Sequence, residues 1–257
     1  MPLFMQENLM RTAIISDVHS NLEALQTVLA DIDNAGVDRI FCLGDTVGYG
    51  PQPRECLDIV RERCAVVLAG NHENAILHGA SDFTQLAAEA LEWTAARLQD
   101  AEIRKYLAKL PNRHIENEAI FVHGSIYDPI NDYVREADSP WMFNQLINTL
   151  QNDFDGFSWC FVGHNHRAFL GTELGYIFPH DDVEPARMTF NLAGQKAYIS
   201  VGAVGQPRDD DPRACWLLLD DAKVTYNRLE YDWKKTAKLI NQSGLPKFLA
   251  RRLLYGE

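Results

Sequence analysis

The sequence predicts an α/β fold in which two mixed β-sheets pack together with helices outside them, as a four-layer αββα sandwich. Two observations lead to this prediction. The first half of the 257-residue chain alternates short apolar runs with segments of helical periodicity. The second half carries one strand pattern after another with no helix between them. With 46% apolar residues, the chain is predicted to form a single domain over residues 1–257, with residues 1–11 as an N-terminal extension.

The first half contains the parallel βα part of the predicted fold. Its predicted strands are residues 12–16, 39–43, 65–69, 119–122 and 158–162. Ser20-Asn21-Leu22-Glu23 predicts a capping box that opens the first helix, and Gly36 is placed to end that helix. Further helices are predicted at residues 53–63, 83–110 and 140–150.

The second half reads as an antiparallel or mixed sheet. Its predicted strands are residues 168–172, 174–178, 188–192, 197–201, 215–219 and 224–231. Residues 232–257 are predicted to form two short C-terminal helices, interrupted near Gly244 and Pro246.

Charge and composition limit the class of partner. The net charge of −12 disfavours a nucleic-acid polymer, which needs cationic groups to neutralise its phosphates. The five cysteines form no CxxC pair, which favours reduced thiols in a cytoplasmic protein. We find neither a signal-peptide pattern nor an apolar run of about 18 residues, so no membrane partner is expected. The oligomeric state is left open.

Polar clusters follow five of the predicted strands, at the point where each strand ends. The clusters are Asp17-Val18-His19, Gly44-Asp45, Gly70-Asn71-His72-Glu73, His123-Gly124 and Gly163-His164-Asn165-His166. Each cluster alone has an ordinary explanation, such as a turn or a hydrogen-bonded histidine. Together they bring carboxylate, imidazole and carboxamide groups to the carboxyl ends of the strands, where ligands bind in open α/β sheets.

This set of donors predicts a metal centre. Carboxylate and imidazole without thiolate suit Mn, Fe, Zn or Ni. Seven or eight candidate ligands are too many for one tetrahedral zinc. They suit two cations that share a carboxylate about 3.5–4 Å apart, an arrangement used for in-line displacement at phosphorus. Spacing alone would place His164 and His166 on the same metal, since residues two apart on a strand face one way.

The order of the five clusters resembles the calcineurin-like metallophosphoesterase superfamily, over about residues 12–232. Gly48-Tyr49-Gly50-Pro51 and Val204-Gly205-Gln206-Pro207-Arg208 further resemble a bacterial and archaeal branch of small phosphodiesterases and phosphatases. Some relatives in that branch hydrolyse dinucleoside polyphosphates. The resemblance implies a cofactor of two divalent metal ions, Mn²⁺ or Fe, with Zn²⁺ or Ni²⁺ as alternatives.

The resemblance also implies a role for each residue. The first metal would be held by Asp17, His19 and His166, the second by Asn71, His123 and His164, and Asp45 would bridge them. His72 would be the catalytic residue, which steadies the transition-state oxyanion and protonates the leaving group. On this interpretation His164 and His166 bind different metals, against the argument from spacing.

The activity implied is hydrolysis of a phosphomonoester or phosphodiester of a small molecule, such as a nucleotide or dinucleoside polyphosphate, by metal-activated hydroxide. The alternatives are a protein serine/threonine phosphatase and a noncatalytic scaffold on the same fold. Two departures from the superfamily pattern bear on them. The arginine that follows the bridging aspartate in protein phosphatases is missing, and Gly48 stands where many members carry Asp or Asn.

Two further residues are candidates for contact with the substrate. Arg208 could bind a second phosphate, or it could be a surface residue that offsets Asp209, Asp210 and Asp211. Tyr49 could stack on a base, or it could cover its own loop.

Overall fold

Two six-stranded mixed sheets form the centre of the molecule, in a computed structural model that describes residues 10–134, 156–177 and 186–257. In chain order the strands are β1 (Thr12–Ile15), β2 (Arg39–Cys42), β3 (Val66–Val67), β4 (Arg113–Glu116), β5 (Ala119–Val122), β6 (Trp159–Val162), β7 (Ala168–Thr172), β8 (Gly175–Ile177), β9 (Arg187–Asn191), β10 (Ala197–Val201), β11 (Ala214–Asp220) and β12 (Lys223–Leu229).

Each sheet contains a parallel part and an antiparallel part. The first sheet has the order β3-β2-β1-β11-β12-β9, in which β3, β2 and β1 are parallel. The second has the order β4-β5-β6-β10-β7-β8, in which β5, β6 and β10 are parallel. The parallel strands therefore end at one edge of each sheet, and this edge carries the predicted polar clusters.

Seven helices flank the sheets in the part of the chain that the structure describes, so the predicted α/β class with two mixed sheets is confirmed. They are α1 (Leu22–Ala35), α2 (Pro53–Arg63), α3 (Asn71–His78), α4 (Gln85–Ala95), α5 (Ala101–Leu107), α6 (Trp233–Ser243) and α7 (Phe248–Tyr255). The helix predicted at 140–150 lies outside the described residues. None of the described helices is long and apolar enough to cross a membrane.

The alternation of side chains along β1 explains how the layers are held together. Ile14 points between the sheets and packs with Phe41 and Phe121, whereas Ile15 points outward against Leu25 of α1. All five side chains are almost completely buried. Burying a side chain of this size stabilises the fold by about 1.5–3 kcal/mol, so both faces of this strand contribute to the core.

The start of α1 differs from the prediction. Asn21, not Ser20, is the capping residue, and its side chain accepts a hydrogen bond from the backbone N–H of Ala24 at 3.3 Å. Ser20 has a left-handed backbone with φ of 55° and donates its N–H to Thr46 at 2.9 Å. Ser20 therefore belongs to the loop of the functional site, and the predicted capping box is wrong.

The segment predicted as one helix over 83–110 is two helices. α4 ends after Ala95, and Asp100 caps α5 by accepting the N–H of Glu102 at 2.8 Å. The two C-terminal helices are present as predicted, and the break between them lies at Gly244, whose φ is 90°. The short helix α3 and strand β4 were not predicted.

Candidate metal centre

The loops after β1 and β2 are joined backbone to backbone. Asp17 N–H donates to the carbonyl of Gly44 at 3.1 Å, and His19 N–H donates to the carbonyl of Asp45 at 2.9 Å. Gly205 N–H, after β10, donates to the carbonyl of Asp17 at 2.9 Å. These bonds fix the positions of the side chains at the carboxyl edge without help from those side chains.

Two groups of candidate ligand atoms meet at this edge, and each group lies within 4.8 Å. One group is Asp17, His19, Asp45 and His166, and the other is Asp45, His123 and His164. Every member is buried, and Asp45 belongs to both groups. Nε2 of His19 lies 3.0 Å from Nε2 of His166, and Nε2 of His123 lies 3.1 Å from Nδ1 of His164.

The outer nitrogen of each imidazole determines which tautomer is present. These outer atoms face backbone carbonyls, in the contacts His19 Nδ1 to Val47 O at 3.1 Å, His123 Nδ1 to Leu43 O at 2.9 Å, His166 Nδ1 to Gln206 O at 2.6 Å and His164 Nε2 to Asn131 O at 3.2 Å. A carbonyl only accepts, so the outer nitrogens of the neutral rings carry the hydrogens. In neutral rings the inner nitrogens then face one another as lone pairs. A cation between them satisfies both, and ligating histidines commonly donate their other N–H in this way. Against the effect of burial, the carboxylate of Asp45 raises the pKa of His123 to about 9, so this ring holds a positive charge that a cation would replace.

The two carboxylates also suit cations. Oδ1 of Asp17 is buried without a hydrogen-bond partner and lies 3.3 Å from Nε2 of His166. Burial raises the pKa of Asp17 to about 7, and the negative charge of Asp45 adds to this effect. Oδ2 of Asp45 lies 3.6 Å from Nε2 of His19 and 3.4 Å from Nε2 of His123. Asp45 therefore lies between the two groups, and positive charge there would stabilise both carboxylates.

Asn71 adds a carboxamide to the second group. Its Oδ1 lies 3.2 Å from Nε2 of His123. In this orientation the oxygen faces only acceptors, an arrangement that a cation satisfies. A reversed amide would instead donate to Oδ2 of Asp45 at 3.0 Å. The residues present thus fit two cations, with nitrogen and oxygen donors and no thiolate.

The turn after β6 explains why His164 and His166 fall in different groups. Both have left-handed backbones, with φ of 67° and 60°, so the alternation expected along a strand does not apply. In all, ten described non-glycine residues have positive φ, and seven lie at this edge: Asp17, His19, Ser20, Asp45, Tyr49, His164 and His166. Such backbones persist only where the surroundings impose them, and they cluster at functional sites.

His72 lies beside both groups and belongs to neither. Its backbone N–H donates to Oδ1 of Asp45 at 2.9 Å, and its Nε2 lies 3.9 Å from Oδ2 of the same residue. Nδ1 is buried without a hydrogen-bond partner. Burial lowers the pKa of His72 to about 4, with positive charge on His123 and Arg208 acting in the same direction and Asp45 against it. The ring is therefore neutral at pH 7.

Gly48 makes room for that ring. A Cβ at position 48 would lie 2.0 Å from Nδ1 of His72, and the φ of Gly48 is 96°. No side chain from that position can orient the imidazole, which explains the unpaired Nδ1.

Glu73 is a structural residue of the site to which the sequence assigned no role. Oε2 accepts the backbone N–H groups of Asp45 at 2.8 Å and Gly70 at 2.9 Å, and Oε1 accepts that of Val47 at 3.2 Å. The side chain is fully buried. Glu73 therefore holds the Asp45 loop against the start of α3. A Glu three residues after Gly70 is the sequence signal for this contact.

Tyr49 and Arg208 lie next to the imidazoles. The buried ring of Tyr49 packs 4.6 Å from the ring of His19 and 4.5 Å from that of His72. The guanidinium carbon of Arg208 lies 5.6 Å from the centre of the Tyr49 ring.

Two of the three acidic residues that follow Arg208 pair with other arginines. Asp209 pairs with Arg228, and Asp211 pairs with Arg213 at 2.7 Å.

Comparisons with known proteins agree with this geometry. The sequence model of calcineurin-like phosphoesterases matches residues 10–191. An uncharacterized protein of Methanocaldococcus jannaschii is 36% identical over 253 residues, which cover 95% of this chain and 97% of that protein. The crystal structure of a metallophosphoesterase from Sphaerobacter thermophilus has a TM-score of 0.81 and 39% identity, and the match covers 96% of this chain and 99% of that one.

A hypothetical protein from Pyrococcus horikoshii OT3 shares the fold, with a TM-score of 0.77, 20% identity, and coverage of 96% of this chain and 98% of that one. The family match spans more than half of the chain, and the match to the metallophosphoesterase structure extends over almost all of both proteins. This chain therefore belongs to the calcineurin-like phosphoesterase family and is a metal-dependent phosphoric ester hydrolase.

Proposed function

We propose that this protein hydrolyses a phosphomonoester or phosphodiester of a small molecule, such as a nucleotide or a dinucleoside polyphosphate, with two divalent cations. The pairs of facing imidazole nitrogens on either side of Asp45 carry this proposal. Nitrogen pairs at 3.0 and 3.1 Å, with the outer nitrogen of every ring facing a carbonyl, suit a cation between them, and there are two such pairs.

Each cation has its own set of ligands on this proposal. Three residues would hold one cation, namely Asp17, His19 and His166. Three others would hold the second, namely Asn71, His123 and His164. Asp45 would be shared, because its Oδ2 lies within 3.6 Å of a nitrogen from each set. Mn²⁺ and Fe suit these oxygen and nitrogen donors, as do Zn²⁺ and Ni²⁺.

The cations and the protein would have different tasks in the reaction. Two cations held there would lower the pKa of a water molecule and offset the charge on the phosphate oxygens. The backbone carbonyls behind the imidazoles keep the ring nitrogens pointing inward, and Glu73 keeps the Asp45 loop in place. These contacts hold the polar groups of the site in position before the substrate binds. Such preorganisation is usually the largest source of electrostatic stabilisation of a transition state.

His72 would act on the substrate itself. Its ring is neutral at pH 7, because burial lowers its pKa to about 4. A neutral imidazole donates one N–H, which can stabilise charge on a phosphate oxygen and assist departure of the leaving oxygen. Tyr49 packs against this ring and limits its rotation.

A substrate panel with added Mn²⁺ tests the proposal. It compares a phosphomonoester, a phosphodiester, a dinucleoside polyphosphate, a cyclic nucleotide and a phosphopeptide, each with and without EDTA. We expect Mn²⁺-dependent turnover of small phosphorylated compounds, lost with EDTA and in Asp45→Asn. A clear preference for the phosphopeptide, or no turnover of any small compound, would contradict the proposal.

A further inference from the structure

Gln206 connects the candidate metal centre to two arginines. Its backbone carbonyl accepts the hydrogen bond from His166 Nδ1 at 2.6 Å. Its side-chain Oε1 accepts from Arg208 Nη2 at 2.8 Å and from Arg252 Nη1 at 3.3 Å. Gln206 is only 2% exposed. One buried, neutral oxygen therefore positions two guanidinium groups beside a candidate metal ligand.

Neither arginine has a carboxylate partner within 4.0 Å among the residues that the structure describes. Three of the acidic residues near them along the chain pair with other arginines: Asp209 with Arg228, Asp211 with Arg213, and Glu257 with Arg251 at 3.5 Å. Burial lowers the pKa of Arg252, and the charge of Arg208 lowers it further. Two like charges that share one neutral acceptor create a local positive potential, which an anion would relieve.

This positive potential reaches the metal centre. Arg208 lies over the ring of Tyr49, and that ring contacts the rings of His19 and His72. A phosphate between the cations and a second anionic group near the arginines could thus belong to one substrate.

Arg252 is held in place by the packing of α7. Leu249 and Leu253 of that helix are buried in the same apolar cluster as Tyr49. At the end of the helix, the carbonyl of Gly256 accepts the N–H of Asp210 at 3.0 Å, which ties α7 to the loop that carries Arg208. The helix lies beyond residue 191, where the family match ends.

We propose that Arg208 and Arg252 together form a subsite for a second phosphate group of the substrate. This proposal rests on the phosphoesterase function proposed above and narrows it to compounds that carry two linked phosphates. The guanidinium fork binds the oxygens of phosphates and carboxylates bidentately, so two such groups around one oxygen acceptor suit an oxyanion better than a neutral sugar. A second phosphate is the oxyanion that a phosphoesterase substrate can carry beside the first.

Competitive inhibition separates this subsite from the metal centre. With p-nitrophenyl phosphate as the reporter and Mn²⁺ present, we compare the Ki of inorganic pyrophosphate with that of orthophosphate. We expect wild type to prefer pyrophosphate. Arg252→Met should reduce that preference by about 10- to 100-fold, the usual loss for a hydrogen-bonded charge. Arg251→Met is the matched control, because Arg251 is the exposed neighbour on the same helix, and its preference should equal that of wild type.

Arg252→Lys keeps the charge and the aliphatic stem, and it serves if Arg252→Met fails to fold. It should lose part of the preference, because an ammonium cannot bind bidentately. If the ratio of the two Ki values matched wild type in both variants, or if both Ki values rose by the same factor, the subsite would be excluded.

Calorimetric titration with inorganic pyrophosphate, in buffer without divalent cations, measures binding without turnover. We expect weaker binding by Arg252→Met than by wild type and Arg251→Met, by about 10-fold or more. Equal affinities would overturn the subsite whether or not an esterase substrate is known. A clear difference in affinity, together with no turnover of any ester by wild type, would overturn the proposed function and leave the subsite standing.

Discussion

The two ends of the β-sandwich differ in cavity volume and in the polar groups that they bring together. At the end where the parallel strands begin, a cleft of about 610 Å³ opens between the sheets and is lined by Thr12, Arg39, Ala119 and Trp159. At the end where these strands finish, the space beside His19, Tyr49 and Gln206 is only about 10 Å³. Cavity size does not select the functional end, since a further cavity of about 620 Å³ lies beside Asn74 of α3 and Leu107 of α5. Converging ligand atoms select the second end, because a metal centre needs donors within a few ångströms of one another.

The backbone shows the same contrast. At the large cleft, the positive-φ residues that are not glycine are Asn117 and Asp221, each in a tight turn between two antiparallel strands. Asn and Asp adopt this conformation readily. At the metal end, Tyr49 and Ser20 adopt it, although Tyr and Ser are not among the residue types enriched at positive φ. Strain at this end is held by the hydrogen bonds between the loops, whereas the turns at the other end need no such support.

The polar groups also differ. In the large cleft, Arg39 Nη1 donates to Oε2 of Glu116 at 2.9 Å, so the charges there already have partners. At the metal end, Oδ1 of Asp17 and Nδ1 of His72 are buried without a hydrogen-bond partner. A buried polar atom without a partner costs about 1–3 kcal/mol, so it persists where function requires it. The following substitutions test whether function lies at the metal end alone.

Asp45→Asn should have the largest effect. It removes the shared carboxylate, so we expect both cations to be lost and kcat/KM to fall by about 10³-fold or more, since metal-ion catalysis supplies several kcal/mol. Metal content by mass spectrometry and turnover of the best ester in the panel measure the two effects. Asp221→Asn is the matched control, because it makes the same change at a positive-φ position of the large cleft. Two ions retained at wild-type affinity in Asp45→Asn would rule out the bridging role.

His72→Ala should separate catalysis from metal binding. We expect kcat to fall by about 10²- to 10⁴-fold, the range for loss of a proton-donating side chain, while both cations stay bound. The measurement is again metal content beside turnover. Wild-type turnover in this variant would exclude a catalytic role for the ring, and loss of one cation would make His72 a ligand.

Gly48→Ala tests the space around the imidazole ring of His72. The added methyl would lie 2.0 Å from Nδ1 of His72, so the ring must move. A displacement of this order costs about 10²-fold in rate. Gly194→Ala is the matched control at the large cleft: its φ is also positive, at 72°, but its added methyl would meet no atom within 4 Å. Both variants should lose stability from backbone strain, and only Gly48→Ala should lose activity. Equal activity in the two variants would show that His72 does not need its observed position.

The sequence predicted the elements that depend on local pattern. The apolar strands and the donors at their carboxyl ends follow from periodicity and from the way parallel strands align. The sequence does not predict which ligand group His164 and His166 each join, because both residues lie in a left-handed turn, where side chains do not alternate as they do along a strand. The position of Glu73 in the sequence predicts only that it caps the start of α3. Its contact with the Asp45 loop depends on the folded chain, so the sequence does not predict it. The contact between Gln206 and Arg252 spans 46 residues and joins a loop to a helix, so no local pattern encodes it.

Glu116→Gln should have the smallest effect, and it tests the large cleft directly. The variant weakens the pair with Arg39, which joins β2 of one sheet to β4 of the other. Solvent screens this pair, so we expect a loss of about 0.5 kcal/mol in the free energy of unfolding and no change in kcat/KM. The hydrogen bond from Arg39 lowers the pKa of Glu116 from its ordinary value of 4.5.

A lowered pKa in the folded state fixes the sign of the pH dependence. The contribution of Glu116 to stability is fully present above pH 4.5 and is lost as the pH falls through the folded-state pKa. Urea unfolding of wild type and Glu116→Gln should therefore differ at pH 7 and converge in acid. A fall in kcat/KM in this variant, with stability intact, would mean that the large cleft takes part in function after all. An unchanged kcat/KM would leave the carboxyl edge as the functional end, because there Oδ1 of Asp17 and Nδ1 of His72 are buried without a hydrogen-bond partner beside the converging ligand atoms.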